Sequence, residues 1–420
     1  MSQQAHVADS AGPPTASTPP AAAMRFILLA VLLDMVAIGI IVPVLPALVG
    51  KLTGSQSDHA FWLGVISFSF GLANFFGAPL LGALSDRFGR RPILLLGFCG
   101  LALNFLATAA ATALWMLIVV RLLAGAMQAN AAVANAYVAD ITPAHQRAQR
   151  FGLLGAMFGI GFVLGPAAGG LLGDIDLRLP FLAAGLLALA NLAYGYFVLP
   201  ESLKPDSRKP FSWSAANPIE SFKRLARHRD IGLLVGVLAC TSLAQGILYN
   251  SWVLYTTFKF GWGPSENGAS LAAVGIMSII VQGFLLGRLL KRFSARRLAL
   301  MGLASSCAAY ALWGLAPTGG FMVGVIFFNL LGFTVNASIQ GLVSSAVDNQ
   351  EQGRTLGTVV AINSLMAVVA PLVAAPIFMA VSHYPVGDWR IGAALLLGAA
   401  LQAVAFVLAW IQFKNKAVPT

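Results

Sequence analysis

Twelve long apolar runs, each long enough to cross a lipid bilayer as a helix, constrain this sequence more than any other feature. A membrane-spanning helix needs roughly 20 apolar residues. Because 58% of the 420 residues are hydrophobic and only 10% are charged, lipid has to be the main solvent of the fold. The runs lie at approximately 25–50, 61–84, 92–111, 113–138, 150–173, 180–199, 231–258, 267–290, 297–316, 320–344, 355–381 and 390–413.

The basic residues predict the orientation of these runs. With the N-terminus inside and Arg121 left within a run, the outer loops hold only four of the 26 Lys and Arg: Lys51, Arg178, Lys259 and Arg390. Loops rich in Lys and Arg stay in the cytoplasm. We therefore expect a multi-pass protein of the inner (cytoplasmic) membrane with both termini cytoplasmic. The net charge of +11 is spread over helix ends, which argues against a nucleic-acid partner.

The chain divides into two similar halves, six runs on each side of a long polar segment. We predict a disordered cytoplasmic tail, an N-terminal six-helix bundle, a cytoplasmic linker, a C-terminal six-helix bundle and a second cytoplasmic tail, at 1–24, 25–199, 200–230, 231–413 and 414–420. Five residues recur 205 positions later, since Gly82, Phe88, Arg91, Gly152 and Pro166 match Gly287, Phe293, Arg296, Gly357 and Pro371. Parallel repeats of six helices are a transporter architecture, with the substrate site between the halves.

Two ionisable side chains, Asp34 and Arg121, lie well inside predicted spans. At about 1.5 Å per residue, Asp34 lies roughly 14 Å from the inner edge and Arg121 roughly 12 Å from the outer edge. In a core about 30 Å thick these depths coincide, so the two side chains could meet. Charges inside a membrane are costly and are therefore functional candidates. One interpretation is a carboxylate that loads and releases a proton beside an arginine, and the alternative is a static ion pair.

Several segments carry a resemblance to a known family. GALSDRFGRRP, Gly82 to Pro92, resembles the loop signature of the major facilitator superfamily. LDMVAIGIIVPVLP, ALWMLIVVRLLAG and LGAMFGIGFVLGPAAGGLLG are similar to segments of the twelve-helix drug/proton antiporters, nearest to the tetracycline efflux proteins. This resemblance implies an all-α membrane protein with twelve transmembrane helices in two six-helix pseudo-repeats, which is the major facilitator fold.

The resemblance also implies a cytoplasmic latch that holds the outward-open state until protonation loosens it. In it, Asp86 contacts the helix that begins near Arg354, and Arg90 pairs with Asp140. We assign to the latch Gly82, Asp86, Gly89, Arg90, Arg91 and Asp140. The alternative is a loop that only enforces topology by its charge. The resemblance further implies that Asp34 and Arg121 couple transport to protons, with drug and proton competing for Asp34 or alternately neutralising it.

The fifth run carries a glycine at every fourth position from Gly161 to Gly173. Such a stripe permits close helix packing, and Pro166 adds a kink. The resemblance identifies this segment as the antiporter motif, which we expect to resist proton leak, whereas generic packing is the alternative. The residues that we assign to it are Gly155, Gly159, Gly161, Gly165, Pro166, Gly169 and Gly170.

Amides and aromatic rings at mid-helix positions suit an amphiphilic compound with several rings. The candidate substrate-binding residues are Asn74, Asn104, Gln128, Gln245, Tyr249, Gln282 and Asn329. For any one amide, a hydrogen bond between helices is the alternative role. Asn104 and Gln282 fall on positions that the tetracycline pumps use. However, those pumps have aspartates where this chain has Asn104 and Ser305, and a histidine where it has Met277.

Together these features predict a proton-coupled antiporter that exports a drug-like organic compound, with tetracyclines as candidates, from the cytoplasm by alternating access. A facilitator or proton symporter for a sugar or other small metabolite is the alternative. We expect no enzyme activity, because the five histidines and three cysteines form no catalytic or metal-ligand spacing. No cofactor and no metal site are expected. The expected partners are a small amphiphilic substrate, protons and the lipid bilayer, and we expect a monomer.

Overall fold

The structure is a computed structural model that describes residues 20–143, 146–211, 213, 232–345 and 352–415. Parts of the predicted tails and linker, at 1–19, 212, 214–231 and 416–420, lie outside the described residues. The described helices are α1 (Pro20–Ile41), α2 (Leu45–Lys51), α3 (Gln56–Phe88), α4 (Arg90–Ala110), α5 (Leu114–Met127), α6 (Asn130–Ile141), α7 (Arg147–Ile175), α8 (Leu179–Val198), α9 (Gly232–Phe260), α10 (Pro264–Ile280), α11 (Leu286–Arg292), α12 (Ala295–Gly314), α13 (Gly319–Phe328), α14 (Val335–Ser345), α15 (Gln352–Val381) and α16 (Ala393–Asn415).

Each of the twelve predicted runs coincides with one helix or with a pair of helices. Within the described part of the chain, ten spans are long and apolar enough to cross a membrane, and α13 with α14 forms an eleventh that is bent by 53°. The remaining run is α12, which has 20 residues and carries Arg296 and Arg297 in its first turn. The prediction of an all-α, multi-pass membrane protein is confirmed.

The fourth and tenth spans are each broken near their middle. The fourth is interrupted at Gln128 and Ala129, between α5 and α6. The tenth is interrupted between Phe328 and Val335 and contains a short 3₁₀ turn. Phe333 lies 205 positions after Gln128, so the break recurs at the same place in the repeat. Discontinuous helices free backbone groups at membrane depth, which is tolerated where they line a cavity or are buried in protein.

Close helix contacts join the two halves. Helix α7 packs along α10, and α3 packs along α15. Glycines permit this approach, because a Cβ at Gly71 of α3 would lie 3.2 Å from the backbone oxygen of Ala367 on α15. At Gly268 of α10, a Cβ would overlap the backbone oxygen of Pro166 on α7. Small residues at such crossings let two membrane helices gain van der Waals contact along their backbones.

Among the described residues, the buried apolar cluster that joins the two halves lies toward one end of the molecule. One cluster mixes both halves and includes Leu63 of α3 with Trp252 of α9. Toward the opposite end, which holds Gly89, the cluster around Tyr137 belongs to the first half alone and the cluster around Ile339 to the second. Among the described residues, no buried apolar cluster joins the halves at the Gly89 end.

Candidate functional site

A cavity of about 550 Å³ lies between the two halves. Helices α1 and α7 form its wall on the first half, while α9, α10, α12, α14 and α16 contribute on the second. Four of the predicted substrate-binding residues line it: Gln245, Tyr249, Gln282 and Asn329. The aromatic rings of its wall are Phe158, Phe162, Tyr249, Trp252, Tyr310, Trp313 and Phe333. None of the described residues that line it carries an ionisable acid, an amine, a guanidinium or an imidazole.

Amide side chains on the wall are held in place by one another. Asn336 donates its amide hydrogen to Gln245 at 3.0 Å, and Gln245 donates to the Tyr249 hydroxyl at 3.3 Å. Gln282 lies in a π-helical turn, Val281–Leu285, and donates to Ser278 at 2.6 Å. A π-helical turn is a frequent feature of functional sites, because the extra residue redirects a side chain. The wall thus offers neutral hydrogen-bonding groups in fixed positions.

The other three predicted substrate residues lie outside the wall of the cavity. Asn74 donates to the backbone oxygens of Gln128 at 2.7 Å and Gly125 at 3.4 Å, across the break in the fourth span. It therefore satisfies carbonyl groups that the broken helix leaves free. Asn104 is buried in α4, and its side-chain oxygen has no hydrogen-bond partner within the described residues. For Asn74, the structure favours the interhelical role.

The buried acid Asp34 and the buried base Arg121 do not meet in this conformation. Asp34 is 3% exposed, and its carboxylate accepts a hydrogen bond from the side-chain nitrogen of Asn130 at 3.0 Å. Arg121 is 7% exposed, and its Nε and Nη2 donors lack hydrogen-bond partners among the described residues. Asp34 does not line the cavity, although the next residue, Met35, does. The expectation that Asp34 and Arg121 lie side by side is therefore not met here.

Asn130 was missed by the sequence reasoning, although it follows the predicted residue Gln128 by two positions. It begins α6 directly after the break, which turns its side chain toward α1. Gly97 of α4 makes room for it, because a Cβ at Gly97 would overlap the Asn130 amide oxygen. A buried carboxylate requires a hydrogen-bond donor, and Asn130 supplies one.

At the Gly89 end, Arg90 gathers the predicted latch residues of the first half. Its guanidinium lies 2.6 Å from the carboxylate of Asp86 and 3.0 Å from that of Asp140, and it also donates to Ser85 at 2.7 Å. The Arg90 side chain is only 10% exposed, whereas the side chains of Asp86 and Asp140 are 42% and 21% exposed, so these charge-assisted bonds lie at the border between the protein interior and water. Arg91 points elsewhere and donates to the backbone oxygen of Tyr196. The expected contact of Asp86 near Arg354 involves a side chain outside the described residues.

A third acid at this end, Glu201, was not predicted. Its carboxylate accepts from the backbone nitrogens of Arg90 at 2.9 Å and Arg91 at 3.2 Å, which are the first N–H groups of α4. A negative charge at a helix N-terminus satisfies free donors and interacts favourably with the helix dipole. Gly89 has a φ of 109°, and a Cβ there would overlap the Glu201 carboxylate. The one available signal was an acid just after Pro200, at the end of the sixth run.

The stretch of chain directly after α8 also contacts the cluster around Arg90. Tyr137 donates its hydroxyl to the Pro200 oxygen at 2.9 Å, and Ser202 donates to Asp140 at 3.2 Å. Farther along, the Lys209 nitrogen donates to the Asp86 oxygen at 3.0 Å. The start of the linker is therefore bound to the loop that carries the latch residues.

The glycines of α7 face two different neighbours. Gly161, Gly165 and Gly169 lie against α1, where a Cβ at each would overlap Met35, Gly39 or Ile40. Gly170 instead faces Pro264 and Gly268 of α10, so it lies in the contact between the halves. Gly155 and Gly159 line the cavity, and Pro166 lies within α7. The glycine stripe therefore packs α1, which carries Asp34, tightly against α7, and α7 in turn contacts α10 of the second half.

Comparisons with known proteins agree with this architecture. A family model described as Major Facilitator Superfamily matches residues 27–371. Tetracycline resistance protein, class C, of Escherichia coli is 38% identical over 89% of this chain and 94% of its own length. Tetracycline resistance protein, class H, of Pasteurella multocida is 31% identical over 94% of this chain and 96% of its own length.

Solved structures show the same fold at low sequence identity. The human organic anion transporter MFSD10 (TETRAN) has a TM-score of 0.70 and 22% identity, covering 94% of this chain and 100% of that chain. The nucleoside transporter NupG has a TM-score of 0.76 and 15% identity, covering 94% of this chain and 100% of that chain. Both likenesses concern the arrangement of the helices.

Proposed function

We propose a function on the premise that this chain belongs to the Major Facilitator Superfamily: it is a proton-coupled antiporter that exports a drug-like organic compound from the cytoplasm. The curated relatives at 31–38% identity are tetracycline resistance proteins, which supports drug efflux over transport of a sugar or metabolite. Tetracyclines are the first compounds to test. The protein is a transporter by family.

The observation that carries this proposal is the cavity between the halves. Its wall combines seven aromatic rings with amides held at fixed positions, such as Gln245 and Asn336. An amphiphilic compound with several rings would stack on the former and exchange hydrogen bonds with the latter. Among the described residues, a shared apolar core joins the halves at one end of this cavity and none joins them at the other, which supports alternating access.

We infer that the Gly89 end faces the cytoplasm, because the charged loop Gly82–Pro92 and most other basic loops lie at this end. The cavity is then open to the cytoplasm, as expected for an exporter that awaits its substrate. In the outward-open state, the cluster around Arg90 would hold this end closed by binding the second half. We further expect both termini in the cytoplasm and a monomer in the inner membrane.

We assign the exchanged proton to Asp34. Its carboxylate is buried in the membrane region, lacks an ion-pair partner among the described residues and adjoins Met35 on the cavity wall. Because Asp34 itself does not line the cavity, drug and proton would alternate through a shared movement of α1 instead of competing for the same atoms. Arg121 would contribute positive charge from α5, and the glycine stripe of α7 would keep water away from α1.

Transport into proteoliposomes tests the function. Wild type should accumulate tetracycline when a pH gradient drives protons out of the lumen, and Asp34→Asn should lose this accumulation while still exchanging labelled for unlabelled drug. Asp206→Asn, which removes an exposed acid within the predicted linker, is the matched control and should behave as wild type. Full proton-driven accumulation by Asp34→Asn would contradict the assignment. Counterflow that is independent of pH would instead support a facilitator.

A further inference from the structure

We propose that the compound bound in the cavity carries no net charge, so that each exchange for one proton moves one positive charge across the membrane. This inference rests on the proposed proton antiport and adds to it the charge class of the substrate and the electrical character of the cycle.

The first step is the chemistry of the cavity wall. Its polar groups are amides, hydroxyls and indoles, and the described lining residues include no charged side chain. Gln402, which lines the wall and is 4% exposed, leaves its buried side-chain oxygen without a hydrogen-bond partner among the described residues. Neutral donors and acceptors of this kind can satisfy neutral polar groups of a ligand. A ligand with a net charge would be left without a counter-charge when the cavity closes.

The second step is the position of the nearest ionisable groups. Asp34 adjoins the wall through Met35, but its carboxylate turns to α6, where Asn130 binds it at 3.0 Å. Arg121 is buried in α5 and does not line the cavity. The acid that would carry the proton is therefore separated from the ligand, and it is not available to pair with a cationic drug in this conformation.

The third step concerns a drug that arrives as a complex with a divalent cation. Such a cation prefers carboxylate oxygens, and in the described part of the chain no three His, Cys, Asp or Glu side chains are grouped to hold one. Ser305, where the resemblance places an aspartate in the tetracycline pumps, donates a hydroxyl hydrogen to the cavity residue Asn329 at 2.9 Å. A neutral hydrogen bond thus occupies this edge of the cavity. The wall favours the metal-free drug.

The charge balance follows directly. One proton enters the cell and one uncharged molecule leaves, so one positive charge moves inward in each cycle. The membrane potential, negative inside, would then drive export even without a pH difference. A monovalent drug–metal complex exchanged for one proton would move no net charge.

Reconstituted full-length protein distinguishes the two cases. With equal pH on both sides, a lumen-positive potassium diffusion potential should drive tetracycline into proteoliposomes through molecules whose cytoplasmic side faces out. This uptake should be the same in EDTA and in magnesium. Uptake that requires magnesium and ignores the potential would overturn the inference while leaving the antiport intact. Drug binding that is unchanged by EDTA, without proton-driven uptake, would support the uncharged ligand and refute the antiport.

Binding of a permanent cation provides a second measurement. Tetraphenylphosphonium should bind wild type in detergent weakly or not at all. Asn336→Asp adds one carboxylate of nearly the same shape to the wall and should strengthen tetraphenylphosphonium binding by about tenfold or more, as for one charge pair partly shielded from water. Asn336→Ala is the neutral control and should show no gain. Tight binding of tetraphenylphosphonium to wild type would overturn the inference.

Discussion

Replacing Asn130 with alanine should change the pH at which the transporter exchanges its proton. The side-chain nitrogen of Asn130 donates to the Asp34 carboxylate at 3.0 Å, and both residues are buried. A hydrogen bond to a charged group contributes about 1.5–3 kcal/mol. The bond favours the ionised carboxylate, so its loss makes the protonated form relatively more stable. At about 1.4 kcal/mol per pH unit, the midpoint of proton exchange should move to higher pH by about 1–2 units.

The assay is drug-induced proton release from purified protein in detergent, measured across a pH series. Asn135→Ala is the matched control, because Asn135 lies on the same helix and donates to the backbone oxygen of Ala131 within it. Asn135→Ala should leave the midpoint unchanged. If folded Asn130→Ala releases protons with the wild-type midpoint, the hydrogen bond does not set the affinity of the exchanged proton.

Three further predictions concern the Gly89 end and the break in the fourth span. Gly89→Ala places a side chain at φ 109° and against the Glu201 carboxylate, so it should lower the free energy of unfolding by about 1–3 kcal/mol. Gly82→Ala is the control and should leave the free energy of unfolding unchanged, because a Cβ there meets open space. Glu201→Gln removes the ionised acceptor at the start of α4, and should lower stability by about 0.5–2 kcal/mol with faster amide exchange in its first turn. Asn74→Ala leaves the Gln128 oxygen unsatisfied and should lower the free energy of unfolding by about 1–3 kcal/mol, whereas a wild-type free energy of unfolding would mean that another donor replaces it.

The helices and their order could be predicted from the sequence because lipid imposes a local rule. Each span must be apolar over a bilayer thickness and must satisfy its own backbone, so the length of an apolar run is enough to identify it. The same rule explains why the breaks at Gln128 and near Phe333 were not predicted. Neither run is interrupted by charge or proline there, and the freed carbonyl groups at Gln128 are satisfied by Asn74 from another helix.

The site was predicted in part. Resemblance proposed that Arg90 contacts Asp140, and the structure places them 3.0 Å apart. The contact between Glu201 and Arg90, which are 111 positions apart, could not be predicted, because it depends on α8 returning the chain to the Gly89 end. Of the amides proposed for the substrate, those of the second half line the cavity, whereas Asn74, Asn104 and Gln128 of the first half do not.

The sequence by itself determined which segments are apolar enough to enter the membrane and in what order. Tertiary structure alone decided which side chains meet at a given depth. The sequence predicted matching depths for Asp34 and Arg121, yet Asp34 binds Asn130, which lies nine residues after Arg121 along the fourth span, because the packing of the helices sets which residues meet. The glycines of α7 draw α1 close, and the break before Asn130 turns its side chain toward Asp34. The apolar pattern of a segment is enough to identify a membrane-spanning helix, whereas the neighbours of its side chains depend on contacts with helices that are distant in the sequence.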